Sequence, residues 1–310
     1  MKKFLKRTLI VLILLFSLPA VSYFGVVSKY GSVAASGAQS GVSNGYESFK
    51  EKADGAVRIM SFNLLADYGG FGGGEVSPRA ERFLNMRNEL LPDVLCLQEE
   101  SFNWFCCLEK NRGDYRSLKP VTSFLGMKMT TVIFNSKTLK LLKLGDLEYE
   151  NGDDMRTRRA VYGIFLHKAS NKRFAVISTH LGFLRYALES EDIVTVRSQC
   201  SELFSLSKKL ESENNCPVII AGDFNSKEER TTDSGVDAFE IYSVLKSVFS
   251  DTKLVAKNTL SGPLKSADAL SNDHIFLLGN ASVEAFGVVS DEYTKEISDH
   301  FPIYADIILS

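Results

Sequence analysis

The chain has 310 residues, with 36 basic and 38 acidic side chains, 45% hydrophobic residues and seven prolines. That balance excludes a disordered or collagen-like chain, a disulfide mini-domain and a strongly basic nucleic-acid scaffold. Without Lys2, Lys3, Lys6 and Arg7, 32 basic groups stand against 38 acidic ones, a net charge of −6, so bulk positive charge captures no partner and only a local basic patch stays open.

Those four cations precede the apolar run Leu9 to Phe16, the order of an export signal. Ala20, Val21 and Ser22 supply small residues for cleavage after Ser22, while Thr8 to Val27 gives twenty mostly apolar residues, close to the length of a membrane span. Residues 1–27 are read as a signal peptide or a membrane anchor. Both leave the domain outside the cytoplasm, either secreted or periplasmic, or tethered to the membrane. Residues 28–54, rich in Gly, Ser and Ala from Gly31 to Gly45, read as a linker.

From residue 55 to 310 short apolar runs alternate with longer amphipathic ones, the pattern of a single α/β domain. Val57 to Phe62 is the first expected strand. Ser77 and Pro78 then predict a helix start, with Phe83, Met86, Leu90 and Leu91 as its apolar stripe. Asp93 to Leu97 and Thr131 to Phe134 are the next strands, with Lys140 to Tyr149 a weaker candidate placed beside the strand before it. Val161 to Leu166 and Phe174 to Ser178 follow. A long helix is expected over Ser190 to Glu213, a strand at Val218 to Ala221, a helix over Asp237 to Val248 and a strand at His274 to Leu278. The five cysteines, Cys96, Cys106, Cys107, Cys200 and Cys216, have no metal-type spacing, and an odd number leaves at least one outside any intramolecular disulfide.

The polar residues with chemical potential sit at the ends of these runs. VRIMSFN ends at Asn63, DVLCLQE at Glu99, FAVISTH at His180, and VIIAGDFN at Asp223 and Asn225; SNDHIF and SDHFP add Asp273, Asp299 and His300. Strand ends converge on one edge of a sheet, which gathers these groups in one cleft. Carboxylates about 4 Å apart repel by about 4 kcal/mol at an effective dielectric near 20. A divalent cation removes that cost, and oxygen donors without thiolates suit Mg²⁺ or Mn²⁺ better than zinc.

In the order MSFNLLAD, PDVLCLQEE, STHL, GDFNS, NDHIF and SDHFP, these segments resemble the signature of the endonuclease/exonuclease/phosphatase superfamily over about Val57 to Leu309. The resemblance implies a four-layer α/β sandwich in which two central mixed β-sheets pack face to face between helices. It implies Glu99 as the main metal ligand, with Asn63 and Asp299 completing or supporting the site. It also implies Asp223 as the group that orients or deprotonates the attacking water, Asn225 as a phosphate holder, and His300 as phosphate stabiliser or general base held by Asp273. His180 contacts phosphate or protonates the leaving oxygen, although Gly182 stands where the family usually carries an acidic or amide side chain. Arg158, in the cluster TRRAVYG with Arg156 and Arg159, is a candidate for a substrate phosphate. Gln199 and His274 read as structural.

The implied reaction is Mg²⁺- or Mn²⁺-dependent hydrolysis of a phosphodiester or phosphomonoester by activated water. A nucleic-acid substrate is favoured by ADYGG after the first motif, which is similar to deadenylase-like members. The acidic body and membrane-directed amino terminus favour a lipid or inositol headgroup, for which Phe102, Trp104, Phe105 and Cys106 form the best bilayer-contacting candidate. The reading from another class is a catalytically silent surface binding module.

Overall fold

Side chains alternate across a strand, and in the first strand both faces are apolar: Val57 and Ile59 point one way, Met60 and Phe62 the other, and all are buried. Such a strand needs a layer on each side. The computed structural model describes residues 47–67, 74–118, 129–151, 158–182, 190–228, 238–264 and 272–310. The expected targeting segment, most of the linker, residues 68–73, which include the YGG of ADYGG, and Arg156 lie outside the described residues.

One sheet contains β1 (Val57–Asn63), β2 (Val94–Gln98), β3 (Tyr115–Ser117), β4 (Thr131–Asn135), β10 (Asn258–Ser261), β12 (Ala281–Val288) and β13 (Ile303–Leu309), in the order β10-β12-β13-β1-β2-β4-β3. The other contains β5 (Leu139–Glu148), β6 (Arg159–His167), β7 (Lys172–His180), β8 (Val218–Asp223), β9 (Ser250–Asp251) and β11 (Asp273–Leu278), in the order β5-β6-β7-β8-β11-β9. Both are mixed: β1 runs parallel to β2 and antiparallel to β13, and β8 runs parallel to β7 and antiparallel to β11.

Three apolar clusters define four layers. Ile59, Val94, Cys96 and Val132 of the first sheet meet Phe165, Val176, Ile219 and Ile275 of the second in the central core. Outside the first sheet lie α1 (Glu47–Lys50), α2 (Val76–Leu90) and α3 (Phe102–Lys110), with Phe49, Phe83 and Trp104 against Met60 and Phe62. Outside the second lie α4 (Ser190–Asn214) and α5 (Ala238–Val248), with Cys200, Leu203, Ile241 and Leu245 against Ile177 and Ile220. Two single-turn helices, α6 (Thr252–Val255) and α7 (Glu292–Lys295), complete the order. This is the expected sandwich, and among the described residues no helix is long and apolar enough to cross a membrane.

The differences from the sequence reading have local causes. Lys140 to Tyr149 is a strand, but it pairs with β6 after it and not with β4 before it. β13 escapes a hydrophobic scan because Asp306 interrupts it, yet that strand lies between β12 and β1. Asp306 is tolerated there because Arg58, its partner in the β1–β13 register, donates Nε and Nη2 to it at 2.7 Å each. The other guanidinium hydrogens go to Phe49 O at 2.6 Å, Leu90 O at 3.1 Å and Glu51 O at 2.6 Å. Residues 47–54, assigned to the linker from composition, are thereby tied to the sheet, with Phe49 buried against Tyr304. Helix α2 begins at Val76, so Ser77 is not its cap and Pro78 falls in the first turn, where its missing N–H leaves no intrahelical bond unmade.

Replacing Arg58 by Met leaves the Asp306 carboxylate buried without its partner. The expected loss is about 3–5 kcal/mol in denaturant unfolding, with partial recovery in the double variant Arg58→Met/Asp306→Leu. A loss below about 1 kcal/mol contradicts this anchoring role.

Candidate active site

Five inward-facing rows of the two sheets end in a polar side chain at the same edge. In β1 the row Val57, Ile59, Ser61 ends at Asn63; in β2 the row Val94, Cys96 ends at Gln98; in β7 the row Phe174, Val176, Ser178 ends at His180. In β8 Ile219 and Ala221 lead to Asp223, and β11 starts with Asp273 on the row of Ile275 and Leu277. Period-two alternation carries the apolar parity of the core to its rim, where the residue type changes to polar. Register then sets the neighbours: Asp223 lies between His180 of β7 and Asp273 of β11.

The two sheets meet through hydrogen bonds at this rim. Asn63 Nδ2 donates to Asp223 Oδ2 at 3.0 Å and to Glu99 Oε1 at 3.3 Å, while Asn63 Oδ1 accepts Leu65 N at 3.0 Å. Deeper in, Gln98 Nε2 donates to Ser178 Oγ at 3.3 Å. Glu99 Oε2 accepts Ala66 N at 3.0 Å. Around Asp223 Oδ2, His180 Nε2 is 3.3 Å away and His300 Nε2 3.9 Å, while Asp223 Oδ1 accepts Asn225 N at 2.9 Å. His300 Nδ1 lies 2.6 Å from Asp273 Oδ2, which assigns the Nδ1 proton to that bond and leaves Nε2 facing the cleft. Asn225 Nδ2 donates to Leu181 O at 3.0 Å, so one amide hydrogen is used and the second is left for another acceptor.

Backbone geometry enforces these positions. Glu99 has φ 57° and Asn225 φ 49°, both in the left-handed region, where Glu costs more than Asn because Asn tolerates it. Gly222 fits because a Cβ there falls 2.0 Å from Thr179 O, and a larger residue forces β7 and β8 apart beside His180 and Asp223. Ser298, whose role the sequence did not suggest although it lies within SDHFP, donates Oγ to Asn63 O at 2.7 Å and accepts His300 N at 3.3 Å. It also lies 3.2 Å from Asp299 Oδ1, and Asp299 stands exposed at the mouth.

Electrostatics separate the titrating groups. Burial, and then the Asp273 charge, push the Asp223 carboxyl well above the ordinary carboxylate range, against the pull of His300 and the hydrogen bonds from Asn225 and Asn63. Burial by itself lowers the His300 imidazolium, but Asp273, with Asp223 and Asp299, more than reverses this and lifts it to about 10. The site residues therefore offer oxygen donors in excess negative charge, and all five cysteines are buried away from them in the packed layers. Glu99 and Asp299 fit a hard divalent cation on donor chemistry.

The structure brings together Asn63, Glu99, His180, Asp223, Asn225, Asp273, Asp299 and His300. The arginine cluster divides: Arg159 pairs with Asp146 and Glu148 of β5, while Arg158 is buried just before β6, at the end where Ala160 pairs with Thr179 of β7, and its carbonyl accepts Tyr149 N. Gln199 is structural, holding Gly182 N at 2.8 Å and Asn151 O at 2.7 Å. His274 packs among Phe224, Tyr242 and Phe276, its Nε2 3.2 Å from Ser226 O, and burial keeps it neutral. It joins Glu228 and Asp251 in a second acidic group, but Lys253 Nζ reaches both Glu228 oxygens at 2.7 Å and Tyr242 Oη donates to Asp251 at 2.7 Å. An ammonium ion already balances that cluster.

No protein-family profile matches the chain, and no curated protein matches it by sequence. Solved structures do. An endonuclease/exonuclease/phosphatase from Bacteroides vulgatus is 20% identical with a TM-score of 0.66, over 82% of this chain and 99% of that one. The Bacteroides thetaiotaomicron mannosyl-6-phosphatase is 18% identical with a TM-score of 0.65, over 81% and 99%. D. rerio TDP2 complexed with single-strand DNA product is 18% identical with a TM-score of 0.58, over 82% and 99%. At these identities the likeness is one of fold.

If Asp273 supplies the field that raises His300, Asp273→Asn brings that imidazolium down from about 10 towards its ordinary range. The His300 ring-proton shift followed against pH in metal-free protein reads this directly, and an unchanged titration contradicts the assignment.

Proposed function

Starting from the fold of the endonuclease/exonuclease/phosphatase proteins, we propose that this chain hydrolyses phosphate esters with an activated water, in a reaction dependent on Mg²⁺ or Mn²⁺. The observation that carries this reading is the juxtaposition of a buried Asp223 carboxylate with two imidazoles and Asn225 beside the oxygen donors Glu99 and Asp299. Glu99 and Asp299 would hold the cation, and Asn63, which donates to Glu99 Oε1, would orient that ligand. When bound, the cation supplies Lewis-acid polarisation of a phosphoryl oxygen.

The protein groups divide the proton chemistry. Asp223, raised by burial, is the group placed to orient a water and take its proton, since a base works best with a pKa near the working pH. His300, raised to about 10, is an imidazolium at neutral pH and donates its Nε2 proton to a phosphoryl oxygen, where negative charge grows. Asp273 fixes its tautomer and balances its charge. His180, which shares the Asp223 oxygen, is assigned to contact phosphate or protonate the leaving oxygen, and Asn225 offers its second amide hydrogen to phosphate. Opposed shifts on neighbouring groups assign base and acid in this way.

For the substrate we favour a phosphodiester in nucleic acid over a lipid or inositol headgroup. Supporting this, Trp104, Phe105 and Cys106 are buried in α3 against the sheet, which leaves Phe102 as the one exposed member of the proposed bilayer contact. The D. rerio structure with its single-strand DNA product shares the fold, and so does the mannosyl-6-phosphatase, which makes a sugar phosphomonoester the second reading. We place the domain outside the cytoplasm, on the cations and apolar run of residues 1–27.

The test is turnover of bis-p-nitrophenyl phosphate, single-stranded DNA, RNA, mannose 6-phosphate, sphingomyelin and phosphoinositides with Mg²⁺, Mn²⁺ or chelator. Glu99→Gln and His300→Gln are each expected to lower metal-dependent turnover by about 100-fold or more. Absence of metal-dependent turnover supports instead a silent binding module, and unchanged turnover in both variants overturns the assignment of activity to this site.

A further inference from the structure

One side chain outside the two sheets touches both the loop whose Ala66 N–H holds Glu99 and the loop that carries Asp299. Arg79, in the first turn of α2, continues the stripe of Phe83, Met86 and Leu90 and is buried, an uncommon place for arginine. Its Nη1 donates to Leu64 O and Leu65 O at 2.9 Å each and to Ile297 O at 3.1 Å. The guanidinium carbon lies 5.2 Å from the Trp104 ring centroid, and Trp104 Nε1 donates to the same Leu65 O at 3.3 Å. Nη2 is buried with no hydrogen-bond partner among the described residues, so carbonyls and ring stacking, not a paired carboxylate, set the orientation. Asp67, Asp299 and Glu99 are the charges that act on it.

The carbonyls belong to two separate loops. Leu64 and Leu65 follow Asn63 and lead to Ala66, whose N–H holds Glu99; Leu65 has φ 54°, a left-handed conformation that leucine rarely adopts without restraint. Ile297 immediately precedes Ser298, Asp299 and His300. Leu64 N donates to Gln98 O at 2.9 Å and Ser298 Oγ to Asn63 O at 2.7 Å, but the β1–β13 pairing stops at Ser61 and Ile303, so no strand ladder joins 65–66 to 297.

We propose that Arg79 is a positioning residue that locks the loop after β1 to the loop before β13, so that Glu99 and Asp299 face one divalent cation. This rests on the reading of those two carboxylates as the cation's ligands. A lysine keeps the charge but loses the planar fork and the stacking on Trp104, so charge alone does not replace it.

The experiment uses the full chain with Arg79→Lys and Arg79→Gln. In metal-free protein, amide hydrogen exchange at 64–66 and 297–300 is expected to be about tenfold faster in both variants, with β7 and β8 unchanged. Mn²⁺ affinity followed by electron paramagnetic resonance is expected to fall about 10- to 100-fold, and kcat to fall with KM nearly constant. If Arg79→Gln does not fold, Arg79→Lys carries the test together with Trp104→Phe, which frees 64–66 and leaves 297–300 unchanged. Parental exchange at 297–300 in Arg79→Lys overturns the proposal. Parental Mn²⁺ affinity in Arg79→Lys, when the parent binds Mn²⁺, overturns its cation half alone. A parent that binds no Mn²⁺ overturns that half and the reading of Glu99 and Asp299 with it, while the exchange arm still decides the tie between the loops.

Discussion

The buried carboxylate of Asp223 is the point on which the two sheets, both imidazoles and the left-handed turn after β8 converge. An ionised carboxylate taken from water is costly unless hydrogen bonds and charges replace its hydration. Here Asn63 from the opposite sheet, Asn225 from the next turn, His180 from the parallel neighbour and His300 from the loop before β13 supply them. The same burial that makes the group expensive lifts its proton affinity. One local cost thus couples the association of the sheets to the chemistry at their edge.

That coupling explains how polarity is graded along the sandwich. Mid-strand, the facing rows are Val, Ile, Phe and Ala, which close the central core. One step towards the rim stand Ser61, Gln98 and Ser178, all buried. The last step brings ionisable groups. Strained backbone collects at the same edge, with left-handed Leu65, Glu99 and Asn225, and this strain is sustained because strands with fixed register flank every one of these turns. Helices add a further restraint from outside, through Arg79 on the loops beside Glu99 and Asp299 and through Gln199 on the backbone beyond His180.

Legibility in the sequence followed how local the cause was. β1, β2, β7, β8 and β11 are short runs of Val, Ile, Leu and Phe with turn chemistry after them, and their ends were readable because a charged or amide residue follows a buried run. β13 was not, because Asp306 breaks its pattern, and the reason it is allowed, Arg58, lies 248 positions away. Residues 47–54 read as linker because Phe49 is isolated in sequence and acquires meaning only against Tyr304. Arginines were the hardest to place. Arg158 and Arg159 drew attention as a cluster, yet Arg159 is held by acids of β5, while the solitary Arg79 bonds carbonyls of two loops far apart in the chain. A guanidinium reaches far enough for its role to depend on what surrounds it.

The sequence alone determined the alternation that makes an α/β sandwich, the ordered set of polar residues at strand ends and the oxygen-rich donor chemistry. These depend on residue type and on periods of two and 3.6, which are properties of neighbouring positions. Only the tertiary structure decided that Asp223 and Asp273 would be buried while Asp299 stays exposed, that His300 would be charged while His274 stays neutral, and that Ser298 and Arg79 would hydrogen-bond the loops of the site. A pKa, a hydrogen-bond partner and a loop restraint depend on desolvation and on distances between residues far apart in the chain, and those exist only after the sheets have packed.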